Sequence, residues 1–236
     1  MRPGAAAKRP RSIADGVWLL RGWDPPVMNV YLLSDEGGVA LFDAGIRAMA
    51  DDVVAAAAPL GGITRVVLGH AHSDHRGTAP SLGVPVYCHP DEVADAQGDG
   101  GASYADWDRV DPALRDFMRS AAADWDGGPV EIAGTVSEGD DVCGFEVVDM
   151  PGHAPGQIAL WRERDRLALV TDVIYAMDVR TARPGPPRLP DEAFNWDTEK
   201  ARASMRRLAG LEAASIWPGH LGPVTGEDLN RALREE

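Results

Sequence analysis

Gly69-His70-Ala71-His72-Ser73-Asp74-His75-Arg76-Gly77 is the stretch on which the reading of this chain turns. It concentrates three of the protein's six histidines, a density that ordinary composition does not produce. The apolar run at 64–68 just before it predicts a buried strand. Beyond such a strand the chain stays extended, and residues two apart point the same way. His70 and His72 can therefore offer both rings to one cation, while Asp74 and His75, one step further along the loop, can face a second.

Upstream, short runs rich in Val, Leu and Tyr at 17–20, 27–34 and 38–43 predict antiparallel strands, with Gly37-Gly38 supplying a turn. The Ala-rich segment 47–58, closed by Pro59 and Gly61-Gly62, predicts a helix. Downstream, 84–88 predicts a strand and 91–97 a helix whose first turn tolerates Pro90. Asp111 as N-cap and Pro112 in the first turn open a helix over 112–123, with Leu114, Phe117, Met118 and Ala121 on one stripe. Strands are expected again at 145–150, 157–162, 166–171 and 215–217, and helices from Asp197 to about 209 and at 226–234. The proline-rich run 181–190 can be neither helix nor central strand, and reads as a loop at the rim of the site. Strands and helices interleaved without a dividing linker predict an α/β layered sandwich forming one domain over 1–236. Residues 1–14 are expected to be disordered. Residues 98–130 are expected to be a helical insertion near the active site, with Trp107, Phe117, Met118 and Trp125 walling the pocket.

Three further candidates follow strand ends, where scaffolds of this kind carry their chemistry. His153 lies in Pro151-Gly152-His153, Asp172 just beyond the run 166–171, and His220 in Pro218-Gly219-His220. The order His-x-His-x-Asp-His, then a lone His, an Asp and a last His, resembles the metallo-β-lactamase superfamily from about residue 17 to 222. Phe42-Asp43-Ala44-Gly45 is similar to that family's first motif.

The resemblance implies a four-layer αββα sandwich with two divalent cations at one edge. Zinc is the expected metal, and iron or manganese also suit imidazole and carboxylate donors. His70, His72 and His153 would hold the first cation, Asp74, His75 and His220 the second, and Asp172 would bridge both. Asp43 would support the metal loop from outside by holding a ligand imidazole in one tautomer. The implied activity is hydrolysis of a small ester, lactone or thioester by a metal-bridging hydroxide, with Asp74 orienting it and passing its proton to the leaving group. Tyr175 stands three residues after Asp172, a spacing similar to that of the acyl-homoserine lactonase branch, which implies a hydroxyl aimed at the substrate carbonyl. The alternatives are an iron-dependent persulfide dioxygenase on the same scaffold and a metal-stabilised binding domain without catalysis. Only 16 residues follow His220, too few for the helical domain of glyoxalase II, and Asp172 stands where the cysteine-ligand β-lactamases need a thiolate.

The composition narrows the partners. A net charge of −14, from 23 basic and 37 acidic residues, argues against a nucleic-acid or anionic-membrane surface and for a small-molecule substrate. Cys88 and Cys143 are too few for a disulfide framework or a Cys-based metal knuckle. The basic N-terminus lacks the apolar stretch of a secretory signal, and no run of 18 apolar residues occurs, so a cytoplasmic protein is expected. His89 belongs to no ligand motif and is expected to cap the helix after it. The charged run 162–166 reads as a solvated turn between strands. Gly69 stands where Thr is usual in the superfamily, and Leu221 where Gly is usual; these departures bear on loop shape.

Overall fold

Along Met28–Asp35, Val30 and Leu32 face one side and Tyr31 and Leu33 the other, and all four are buried. A strand buried on both faces requires a layer on each side, and that requirement generates the architecture. The structure is a computed structural model that describes residues 9–235. One sheet has seven strands in chain order: β1 (Arg11–Ala14), β2 (Val17–Gly22), β3 (Met28–Asp35), β4 (Gly38–Phe42), β5 (Ile63–Val67), β6 (Val86–Cys88) and β7 (Gly134–Thr135). Its first half is antiparallel, and β4 to β7 run parallel. The second sheet contains β8 (Asp141–Val142), β9 (Phe145–Asp149), β10 (Ile158–Arg162) and β11 (Leu167–Thr171). A hairpin of β12 (Tyr175–Asp178) and β13 (Arg183–Arg188) follows, and β14 (Ser215–Pro218) then joins the second sheet parallel to β11, giving the order β14-β11-β10-β9-β8.

Three apolar clusters show how the layers stack. Leu19, Tyr31 and Phe42 of the first sheet meet Val147, Leu160 and Leu169 of the second between the sheets. The outer face of the first sheet is covered by α1 (Ala50–Ala57), α3 (Val93–Gln97) and α4 (Pro112–Trp125) through Val53, Ala96, Ala121 and Trp125. The outer face of the second is covered by α5 (Thr198–Gly210) and α6 (Gly226–Glu235) through Met205, Leu208 and Leu229. The result is the four-layer αββα sandwich. One further helix, the single turn α2 (Ser73–Arg76), lies in the histidine-rich loop.

Several expectations need correction. Of the segment 1–14 expected to be disordered, residues 1–8 lie outside the described residues, whereas Arg11–Ala14 forms β1 and pairs with β2. The run 181–190 is not simply a loop, because Arg183–Arg188 pairs with β12. Proline is barred from a central strand, but in a two-stranded ribbon each strand has one free edge that needs no N–H donor. The charged turn 162–166 is solvated except for Arg162, which is buried, ion-paired with Asp165 at 2.6 Å and stacked over Phe145. Among the described residues no helix is long and apolar enough to cross a membrane.

Phe42 is fully buried between the sheets, immediately before Asp43. Phe42→Ala is expected to lower unfolding stability by about 3–5 kcal/mol in urea titration, the cost of an unfilled core cavity. A loss below about 1 kcal/mol would show that the inter-sheet layer does not depend on it.

Candidate metal centre

The candidate site forms where strands of both sheets end. β5 runs into His70 and His72, the turn after β9 carries His153, β11 ends on Asp172, and β14 leads to His220. Cross-links hold these ends together: Ile158 donates its N–H to the Gly69 carbonyl at 2.9 Å, Asn29 to that of Gly219 at 2.9 Å, and Gly219 to that of Thr171 at 2.6 Å. The approach leaves no room for side chains. A Cβ on Gly219 would lie 2.3 Å from Asp172 Oδ1 and 2.5 Å from His75 Cε1.

The seven predicted donors fall into two adjoining sets, His70, His72 and His153 in one and Asp74, His75, Asp172 and His220 in the other. Within each set the candidate donor atoms lie within 4.8 Å of one another. In the first, ring centroids are 4.5–5.1 Å apart. In the second, Asp172 Oδ2 lies 3.3 Å from both His75 Nε2 and His220 Nε2, and Asp74 Oδ2 lies 3.3 Å from His220 Nε2. Asp172 Oδ2 also lies 3.7 Å from His153 Nε2, so this carboxylate stands between the sets.

Four imidazoles have one nitrogen held from outside. His70 Nδ1 meets Thr171 Oγ1 at 2.8 Å, His72 Nε2 the Tyr104 hydroxyl at 3.1 Å, His75 Nδ1 Asp43 Oδ2 at 2.8 Å, and His153 Nδ1 Asn195 Oδ1 at 3.0 Å. Such partners fix ring orientation and tautomer. The Nε2 atoms of His70 and His153 and Oδ1 of Asp172 are left buried without a hydrogen-bond partner. Buried polar atoms are seldom orphaned, and the two Nε2 atoms lie on the ring edges opposite the Thr171 and Asn195 contacts. Their chemistry fits a divalent cation in each set. Asp43 also accepts from the Gly69 N–H at 2.8 Å, so it holds the histidine loop at two points.

The departure at Gly69 has a structural counterpart. A Cβ there would lie 2.4 Å from Thr171 Cγ2, so the missing side chain makes room for the threonine that bonds His70. Sequence reasoning does not find Tyr104, Thr171 and Asn195. Thr171 adjoins Asp172 in sequence, but nothing local marks the other two.

The electrostatics of the two sets differ. Burial lowers His70, helped by the neighbouring imidazoles, burial takes His72 down to about 3, and burial also lowers His153 despite Asp172. These rings are neutral at pH 7. Burial also opposes charge on His75 and His220, but the carboxylates overcome it. Asp172, Asp43 and Asp74 carry His75 well above its ordinary value, and Asp172 and Asp74 bring His220 to about 9. Burial would raise Asp172 and Asp74; His220 and His75 instead hold Asp172 well below the carboxylate range, and His75 and His220 take Asp74 to about 2. Without metal, protons on His75 and His220 balance the carboxylates.

A cavity of about 310 Å³ opens over the donors, with His72, Asp74, His153, Asp172 and Tyr175 in its floor and Trp107, Met118, Trp125 and Phe194 in its walls. Of the four predicted wall residues, Phe117 is the exception. It is half exposed and stacks at 6.4 Å on Trp23, since a helical stripe broad enough to include 117 and 118 spans two different neighbours. The wall is anchored by Arg76, a fully buried side chain adjacent to His75. Its guanidinium bonds the Asp126 carboxylate at 2.9 and 3.1 Å and the carbonyls of Asp95, Ala96 and Gly98. His89 caps the turn before α3 by accepting from Asp91 N–H at 3.2 Å.

Coordination requires neutral imidazoles. Zinc binding at pH 7 is therefore expected to release at least two protons per chain, one each from His75 and His220, none from the first set, and any further one from metal-bound water. Calorimetry in buffers of different ionisation enthalpy measures that number. Binding with no proton release would contradict the charge assignment.

Comparison with known proteins agrees with this geometry. Residues 23–220 match the family described as the metallo-beta-lactamase superfamily. Two curated Bacillus subtilis (strain 168) proteins are similar. "Probable metallo-hydrolase YflN" is 27% identical over 246 residues, covering 92% of this chain and 89% of its own length. "Probable metallo-hydrolase YqjP" is 25% identical over 219 residues, covering 83% and 67%. Among solved structures, the metallo-beta-lactamase family protein TTHA1429 from Thermus thermophilus superposes with a TM-score of 0.67 at 23% identity, over 95% of this chain and 79% of the other. TTHA1623, solved in a di-iron-bound form, superposes with a TM-score of 0.65 at 22% identity, over 91% and 97%. All seven candidate donors fall within the matched residues, and the chain belongs to the metallo-β-lactamase superfamily.

Proposed function

We propose that this metal-dependent hydrolase is dinuclear and cleaves a small ester, lactone or thioester. His70, His72 and His153 would hold one cation and Asp74, His75 and His220 the other, with Asp172 available to both. The observation that carries the reading is the pair of adjoining donor sets joined by one carboxylate at the floor of a largely apolar cavity. Zinc suits the mixed imidazole and carboxylate donors, and iron is the alternative, as the di-iron form of TTHA1623 illustrates for that protein. When bound, such a cation pair supplies Lewis acidity and brings the pKa of water towards neutrality.

The chain's own residues do the rest. Asp74 lines the cavity beside His220 and is placed to orient the attacking water and carry its proton to the leaving group. Tyr175 lies between the rings of His153 and His220 at 6.3 and 5.4 Å and lines the cavity together with Asp172. From there it can donate to the oxygen of a carbonyl under attack. Burial and Asp172 raise its pKa well above the ordinary tyrosine value, so it remains a donor throughout the working range. Trp107, Met118 and Trp125 exclude water and receive the apolar part of the substrate.

Elemental analysis of the purified protein is expected to find two metal ions per chain, and a chelator should abolish turnover of an ester, lactone and thioester panel until zinc is restored. One iron per chain with oxygen consumption would overturn the hydrolytic reading. Tyr175→Phe is expected to lower kcat by about 10²–10³ with little change in KM, the loss typical of one oxyanion donor. Steady-state kinetics showing unchanged turnover would remove Tyr175 from the mechanism.

A further inference from the structure

We infer that Glu92, a carboxylate outside both donor sets, is a positioning residue that fixes the His70–His72 loop and the His153 loop at the separation the first cation needs. The inference rests on the dinuclear reading above. Glu92 is fully buried in the turn Pro90–Glu92 that joins β6 to α3. Its Oε2 accepts the Ala71 N–H at 2.7 Å, and its Oε1 accepts the Gly156 N–H at 2.8 Å. Ala71 sits between His70 and His72, and Gly156 lies three residues beyond His153. One side chain thus grips the backbone carrying all three imidazoles of the first set.

The chemistry calls for a carboxylate. Two N–H groups converge from opposite sides, and only an acceptor at both ends answers both; a glutamine would turn its NH₂ towards one of them. The loop also rests directly on the turn, because a Cβ on Gly156 would lie 2.5 Å from His89 Nδ1 and 3.0 Å from Glu92 N. The second set is held by different contacts, through Asp43 to His75 and through the Gly219 N–H to the Thr171 carbonyl. Glu92 should therefore govern the first set selectively.

The test is a zinc titration of full-length wild type and Glu92→Gln, followed through the imidazole NMR resonances of the individual histidines. For the variant, the zinc needed to shift His70, His72 and His153 should rise at least about tenfold, while His75 and His220 stay within about threefold of wild type. Equal weakening at both sets, or titration matching wild type, would overturn the positioning role. Glu92→Asp keeps the charge but cannot span both donors, and should show the same selectivity in case the glutamine variant does not fold. If both variants unfold, Glu92 serves general stability and the inference fails. Wild type that takes up no zinc, manganese or iron would sink the dinuclear reading itself, whereas wild type binding two zinc ions alongside an indifferent variant would sink only the assignment of Glu92.

Discussion

Gathering five imidazoles and two carboxylates, most of them buried, at the floor of one cavity is the constraint from which the remaining design follows. Each buried polar atom needs a partner, and a ring whose two nitrogens were both satisfied by protein could not bind a cation. The structure answers by dividing each ring's duties. Thr171, Tyr104, Asp43 and Asn195 take one nitrogen of four rings, and the opposite edges converge. Placing these partners requires both sheets, the loops at their strand ends and the 98–130 segment at once. The absence of a side chain at Gly219 and Gly69 is equally part of the arrangement, since the donors and their supports occupy the space a Cβ would take.

The two sets solve the burial of charge differently. Three histidines crowded together stay neutral, because desolvation and mutual repulsion both oppose protonation. Beside them, carboxylates and imidazoles compensate one another as ion pairs. Asp172 faces both groups, at 3.3 Å from His75 and His220 and 3.7 Å from His153. The apolar walls of the cavity strengthen every electrostatic contact at its floor by keeping the local dielectric low.

The donor residues are legible in sequence because their signals are local: a dense motif after one strand, and single residues at the ends of three others. The sheets are legible for a related reason, since alternation within a strand reports which faces are covered. The supports other than Asp43 are not. Tyr104, Asn195 and Glu92 reach the site only through tertiary packing, and one sequence gives no sign that a tyrosine ahead of α4 or an asparagine before a helix meets an imidazole. Periodicity puts Phe117 in the cavity wall because it identifies a covered helix face without naming what covers it. The β13 strand escapes a sequence reading because its prolines exclude a central position, which says nothing about a ribbon with a free edge.

Arg76 gives the cavity and the candidate metal centre a common footing. One arginine next to His75 holds both the carboxylate at the end of α4 and three carbonyls at the end of α3. Remodelling of the chamber, by natural drift or by laboratory selection for new substrates, is therefore tolerated where it leaves the Arg76–Asp126 pair and the Tyr104 contact to His72 alone. Libraries that randomise 105–125 while sparing Tyr104 and Asp126 keep the support of His72 and the Arg76 anchor in place, and those that include either would trade new specificity against the integrity of the centre.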